Sequence, residues 1–266
     1  MGKDESSNRN QQYKMHNYCK TIGALAAVSA LVAGNASAEV EYELHTGYTS
    51  EYLFRGINYG QDLIEVGADV KGELYGLGLS AGAWYGTIDN MQAAGTNSVG
   101  FNELDLYGQA TKDFGFATFG VGYISRQYDA DSWGGNVFLA GRELDGDTEQ
   151  EVYFSVAREF WGIETSLTYF WDIETDNDGY TELAMKKGWE LNPCLWLNAS
   201  GNLGYLAEQG QLTALTLKTS LDWGFASTAK LSPFVAYSMS LSDDNDTLYW
   251  GAKDQFVGGV MLSVGF

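Results

Sequence analysis

EVEYELHTGYTSEYLF, Glu39 to Phe54, alternates apolar and polar side chains almost without interruption. Val40, Tyr42, Leu44, Thr46, Tyr48, Tyr52 and Phe54 fall on one face, and Glu41, Glu43, His45, Thr49 and Glu51 on the other. A period of two belongs to a strand, whose successive Cβ atoms point to opposite sides; a helix would repeat its apolar positions every three or four residues. The run is some eight alternating pairs long, well beyond the usual strand of about five or six residues. Long strands with one apolar and one charged face suit a large soluble sheet or a membrane barrel.

The pattern recurs along the chain. Apolar rows run through Ile64 to Val70, Leu77 to Tyr85, Leu104 to Ala110, Ala117 to Tyr123 and Val152 to Val156. They continue through Ile163 to Trp171, Leu183 to Met185, Leu195 to Tyr205, Thr213 to Leu221 and Leu231 to Leu241. The chain closes on GGVMLSVGF, residues 258–266, with Val260, Leu262, Val264 and Phe266 at every second position. About 12 strands are predicted. Connections after the even strands are mostly short, such as YG at 75–76 and LNPC at 191–194. Those after odd strands include long polar ones, among them residues 127–149 and SDDNDTLYWGAKD from Ser242. Short turns at one end and long loops at the other are the asymmetry of an outer-membrane barrel. Lipid offers no hydrogen bonds to a free sheet edge, so the first strand must pair with the last. The expected fold is a closed antiparallel up-and-down transmembrane β-barrel, its C-terminal strand zipped to the strand from Glu39. Tyr48, Tyr52, Phe54, Trp171, Trp189 and Phe266 are expected at the lipid–water boundaries. A secreted β-sandwich also alternates, but its strands are usually shorter and less aromatic near their ends.

The N-terminus reads as an export signal. Lys14 and Lys20 precede an apolar stretch from Ile22 to Val32, and Ala36 and Ala38 are the small residues expected before a cut after Ala38. The apolar run is about half the roughly 20 residues of a spanning helix. Residues 1–38 thus form a cleavable leader, with Met1 or Met15 as its start, and 39–266 form the barrel. The whole chain carries a formal charge of −20, with a pI near 4.2. The remaining 228 residues hold 33 acidic and 11 basic side chains, and Cys194 as the sole cysteine. That charge argues against nucleic acid, whose phosphates it would repel. One cysteine permits neither an internal disulfide nor a thiol metal site.

His45 is the only histidine after the leader, on the charged face near Glu41 and Glu43. It admits a barrel hydrolase, but no motif ties it to a serine, and no GxSxG, HExxH or phosphate-loop pattern occurs. The stretch ETDNDGYTELAM places Glu174, Asp176, Asp178 and Gly179 like a calcium loop, but Met185 stands where a bidentate glutamate is needed. No catalytic residue, metal site or cofactor is assigned. Weak divalent binding by DGDTE at 145–149 or SDDNDT at 242–247, bridging to lipopolysaccharide, stays open.

SEYLFRGINYGQD, Ser50 to Asp62, resembles the TorF-type porin family in its Tyr-x-Phe-Arg-Gly-aliphatic segment, carried here by Tyr52, Phe54, Arg55, Gly56 and Ile57. AGAWYGT, Ala81 to Thr87, is similar to that family's following glycine- and aromatic-rich strand. The resemblance implies an outer-membrane barrel and suggests a pore. Strand alternation places Glu41, Glu43, Glu51, Glu65, Asp69, Glu73, Glu103, Asp105, Glu151, Glu164, Asp172 and Glu182 inside, with Arg55, Lys71, Arg126, Lys186 and Lys218. The pore-lining candidates among them are Glu41, Glu43, Arg55, Glu65, Asp69, Lys71, Glu103, Asp105, Arg126, Glu164, Lys186 and Lys218. Charge of both signs on an inner wall reads either as a field tuning ion selectivity or as a self-paired core that nothing crosses. Twelve strands lie between sealed eight-stranded and open sixteen-stranded barrels. The expected function is passive diffusion of small polar solutes with a preference for cations, and no chemical step. The expected partners are outer-membrane lipid, lipopolysaccharide and, through the strand ending at Phe266, the barrel-assembly machinery. A non-conducting binding or structural barrel, with the 127–149 loop as outside receptor or inner plug, is the alternative.

Overall fold

Every expected strand forms, and the sheet they build has no free edge. The computed structural model describes residues 40–91, 99–130, 138–139, 142–143, 148–174, 179–207, 209–241 and 254–266. The strands are β1 (Val40–Phe54), β2 (Ile57–Leu74), β3 (Leu77–Met91), β4 (Val99–Asp113), β5 (Thr118–Ala130), β6 (Phe138–Leu139) and β7 (Arg142–Glu143). They continue as β8 (Thr148–Phe160), β9 (Ile163–Asp172), β10 (Tyr180–Asn192), β11 (Leu195–Leu206), β12 (Gln211–Gly224), β13 (Ala229–Ser240) and β14 (Gln255–Gly265). The two-residue pair β6–β7 stands apart; the other 12 close into an antiparallel barrel in which β1 pairs with both β2 and β14. The closing ladder runs from Glu43 opposite Gly265 to Thr49 opposite Gly259. Tyr42 and Phe266 extend it by exchanging backbone N–H···O bonds of 3.3 and 2.9 Å.

Alternation sorts the wall into two faces. Leu44, Ile64, Val66, Val121, Phe154, Leu167, Leu217 and Val235 point outward and are exposed. The inner rows follow from the register. Asp69 faces Glu43 and Gly82, Asp105 faces Trp84 and Arg126, and Lys186 faces Glu164 and Ser200. The short-turn end carries two-residue turns at Tyr75–Gly76 and Trp161–Gly162 with positive φ at both residues, the hairpin geometry that matches strand twist. Their aromatic tips protrude, with Tyr75 88% and Trp161 93% exposed.

The first hairpin departs from this plan. Pairing of β1 with β14 stops at Thr49, whereas pairing of β1 with β2 continues to Phe54 opposite Ile57, with a register shift between Tyr52 and Leu53. Beyond Thr49 the hairpin leaves the wall and enters the barrel. Tyr52 and Phe54, expected at a lipid boundary, therefore pack inside: Tyr52 lies 5.8 Å from Trp84, and Phe54 5.8 Å from Tyr59, ring to ring. The alternation was unbroken, but the strand carrying it bends inward. Thr213, expected on an apolar outer row, is 0% exposed. It sits at a shift in the β11–β12 register between Leu203 and Tyr205, with its hydroxyl over Gly204 beside that of Tyr180. Tyr48, Trp171, Trp189 and Phe266 are outside and exposed, as expected.

Candidate functional site

The lumenal centre is built around the tip of the β1–β2 hairpin. Arg55 and Gly56 form its turn, with φ of 51° and 85°. Positive φ suits glycine and strains arginine, at a cost on the order of 1–3 kcal/mol that surrounding contacts must offset. They are extensive. Arg55 donates two parallel hydrogen bonds to Glu151 of β8, at 2.7 and 2.8 Å, the bidentate geometry strongest for a guanidinium and a carboxylate. Its guanidinium also lies 4.6 Å from the Phe170 ring and 4.4 Å from the Tyr180 ring. Gly56 is buried against β12, where a Cβ would overlap that of Ala214. The tip thus reaches from β1 to strands on the far side of the ring.

A second arginine completes the cluster. Arg126 of β5 donates to Glu151 at 2.9 Å and lies 3.8 Å from Glu149 and 3.9 Å from Asp105. The Phe54 ring sits between the guanidiniums, 4.8 Å from each. Side-chain exposure is 16% for Arg55, 3% for Arg126 and 8% for Glu151, so these charges depend on one another rather than on water. Asn58 ties the flank of the hairpin to Glu51 at 2.8 Å and to Gln255 of β14 at 2.6 Å. Below, Leu63, Ile88, Phe101 and Tyr128 form an apolar core against which Tyr52, Tyr59 and Trp84 pack. Glu103 is 1% exposed beside it, facing Tyr52 and Asp105.

Among the sequence-predicted residues, Arg55, Glu103, Asp105 and Arg126 meet in this region. Glu65 accepts the Trp84 indole N–H at 2.6 Å, and the Lys218 ammonium lies 3.9 Å over the Phe234 ring. Nearer the short-turn end, Glu41 pairs with Lys71 at 2.9 Å. With Glu43 and Asp69 they border a recess of about 730 Å³. Glu164 and Lys186 line another, of about 520 Å³. Glu151 was placed inside by alternation but not among the pore-lining candidates; its role comes from a residue 96 positions away. The segment that enters the barrel is the first hairpin. Most of the 127–149 loop lies outside the described residues.

His45 binds Asp69 at 3.4 Å through Nδ1, and Asp69 accepts the Tyr107 hydroxyl at 2.6 Å. The imidazole leans over Gly67 of β2, where a Cβ would overlap Nε2. Ser263, its cross-strand neighbour, is on β14, the opposite flank. This arrangement holds a side chain in a polar wall and aims Nε2 away from that serine. Among the described residues no cluster of three or more His, Cys, Asp or Glu could hold a metal ion. The candidate at 242–247, residues 145–147 of the one at 145–149, and most of the calcium-like stretch before Gly179 lie outside the described residues.

No family model and no curated protein matches the sequence. Among solved structures, the chain is similar to KdgM porin, with 8% identity over 85% of this chain and 99% of that one and a TM-score of 0.48. It is similar to an outer-membrane channel from Pseudomonas putida F1, with 10% identity, 85% and 95% coverage and a TM-score of 0.48. It is also similar to the translocator domain of the autotransporter NalP from Neisseria meningitidis, with 11% identity, 96% and 97% coverage and a TM-score of 0.41.

Proposed function

We propose that this barrel is an integral outer-membrane channel for passive diffusion of small polar solutes, narrowed by its own first hairpin. One observation carries the reading: a wall closed at every edge, with exposed apolar side chains outside and charged ones within. Lipid would cover the first surface and water the second. The leader at 1–38 would direct export, the short turns would face the periplasm, and the strand ending at Phe266 would be read by the assembly machinery. Lipopolysaccharide would meet the opposite rim.

Lumenal carboxylates outnumber cations, and the Arg55–Arg126–Glu151 cluster consumes two of those cations. The net field then favours cations. Reversal potentials across a KCl gradient in planar bilayers are expected to show potassium passing more readily than chloride; anion selectivity would refute this. Arg55→Ala separates a constriction from a mere brace. We expect at least a doubling of single-channel conductance, and unchanged conductance with only lower thermal stability would assign Arg55 a structural role.

A second reading has its own support. The hairpin spans from β1 to Ala214 of β12, so the lumen could be sealed and the barrel serve binding or structure. Electrical silence of correctly folded protein would select it.

A further inference from the structure

Alternation in a channel should leave the inner rows polar, yet three large apolar side chains face the lumen, and of these Trp84 alone also packs against the hairpin core. Phe234 and Met261 come from one flank and Trp84 from the other. They border a cavity of about 450 Å³ beneath the hairpin. That lies within the roughly 300–1,000 Å³ of small-molecule sites.

Two polar groups of this cavity, Lys218 and Glu65, keep capacity for a ligand. Lys218 rests on the Phe234 ring at 3.9 Å; among the described residues its ammonium has no hydrogen bond and no carboxylate in direct contact, and the charges that act on it are those of Glu65 and Asp222. Arg126, the other cation on the lining, is committed to Glu151. Glu65 is oriented by the Trp84 N–H at 2.6 Å; among the described residues its other oxygen has no hydrogen-bond partner. An available ammonium, an oriented carboxylate and apolar walls thus share one space.

We infer that this cavity is a binding subsite for a small zwitterion with an apolar body, of the class of an aromatic or aliphatic α-amino acid. Lys218 receives the carboxylate, Glu65 the ammonium, and Phe234, Met261 and Trp84 the body. An anion alone would meet the acidic lumen, and a cation alone would meet Lys218; a zwitterion satisfies both ends. The inference deepens the channel reading and rests on it for the ligand's route, though the binding itself does not require conduction.

The test is isothermal titration of detergent-solubilised protein with phenylalanine, phenethylamine and 3-phenylpropionate. Phenylalanine is expected to bind at least tenfold more tightly than either singly charged probe. Lys218→Met and Glu65→Gln should each weaken it at least fivefold, while Lys218→Arg stays within threefold. Equal affinity for the three probes, no detectable phenylalanine binding, or an unchanged affinity in folded Lys218→Met would overturn the inference. Should either charge-removing variant fail to assemble, the ranking of probes on the unaltered protein decides. Conductance without phenylalanine binding would remove the subsite and leave the channel; binding without conductance would do the reverse.

Discussion

Gly56→Val is expected to expel the first hairpin and raise single-channel conductance severalfold. The backbone at Gly56 has φ of 85°, which a β-branched side chain adopts only with strain of about 1–3 kcal/mol. The new Cβ would also overlap that of Ala214, and a closely packed interior relieves such an intrusion only by moving something. The wall at this point is held by the pairing of Ala214 with Ser240 of β13 and by Leu215 and Leu212 on either side in the β11 ladder, whereas the hairpin beyond Thr49 no longer pairs by backbone with β14. The hairpin is therefore the element that gives way. Planar-bilayer recording reads the conductance. Labelling of an added cysteine at Ile57, 8% exposed in the native barrel, with Cys194 replaced, reads the displacement. If conductance and labelling both stay at native levels, the hairpin does not obstruct the lumen. Adding Ala214→Gly should restore part of the native behaviour by removing the collision while leaving the backbone strain.

Glu151→Gln carries the second large effect. One carboxylate contacts two guanidiniums, at 2.7 and 2.9 Å, and all three side chains are largely shielded from water. Removing one member of a buried ionic group leaves charge uncompensated, which costs about 3–5 kcal/mol. Glutamine keeps the shape and can accept a hydrogen bond, so the loss reports charge rather than volume. Denaturant unfolding in detergent should show a lower midpoint. Adding Arg55→Met should recover part of the loss, a non-additivity expected of groups in contact. A change below about 1 kcal/mol would mean that water reaches the cluster and screens it.

The strands and their closure were legible because outward and inward residues follow a two-residue period set by covalent geometry. The closing strand was legible too, since alternation runs through Val260, Leu262 and Val264. What alternation cannot reveal is whether a strand stays in the wall. Tyr52 and Phe54 keep the parity of Tyr42 and Leu44, yet a bend after Thr49 carries them inside. One clue was available. Arg55–Gly56 is a two-residue turn at the end where the other connections after odd strands include the longest in the chain, and such a turn leaves little chain to stand outside. Trp84 also falls on the inner row by counting alone. Glu151 as the partner of Arg55 was not legible, because contact across a lumen depends on which strands face one another after closure, not on spacing within any of them. Thr213 was missed for a local reason: a shift in register breaks the parity on which its placement relied.

Because Tyr42 and Phe266 are joined as neighbours on any two adjacent staves are, the cylinder has no structurally privileged beginning. A circular permutant linking Phe266 to Val40 and reopened between Trp161 and Gly162 would retain every ladder. Its last strand would then be β8, whose final residue, Phe160, is 44% exposed and is followed only by Trp161. Such a molecule would test whether the strand ending at Phe266 serves as an address during biogenesis, apart from its place as a plank in the finished wall.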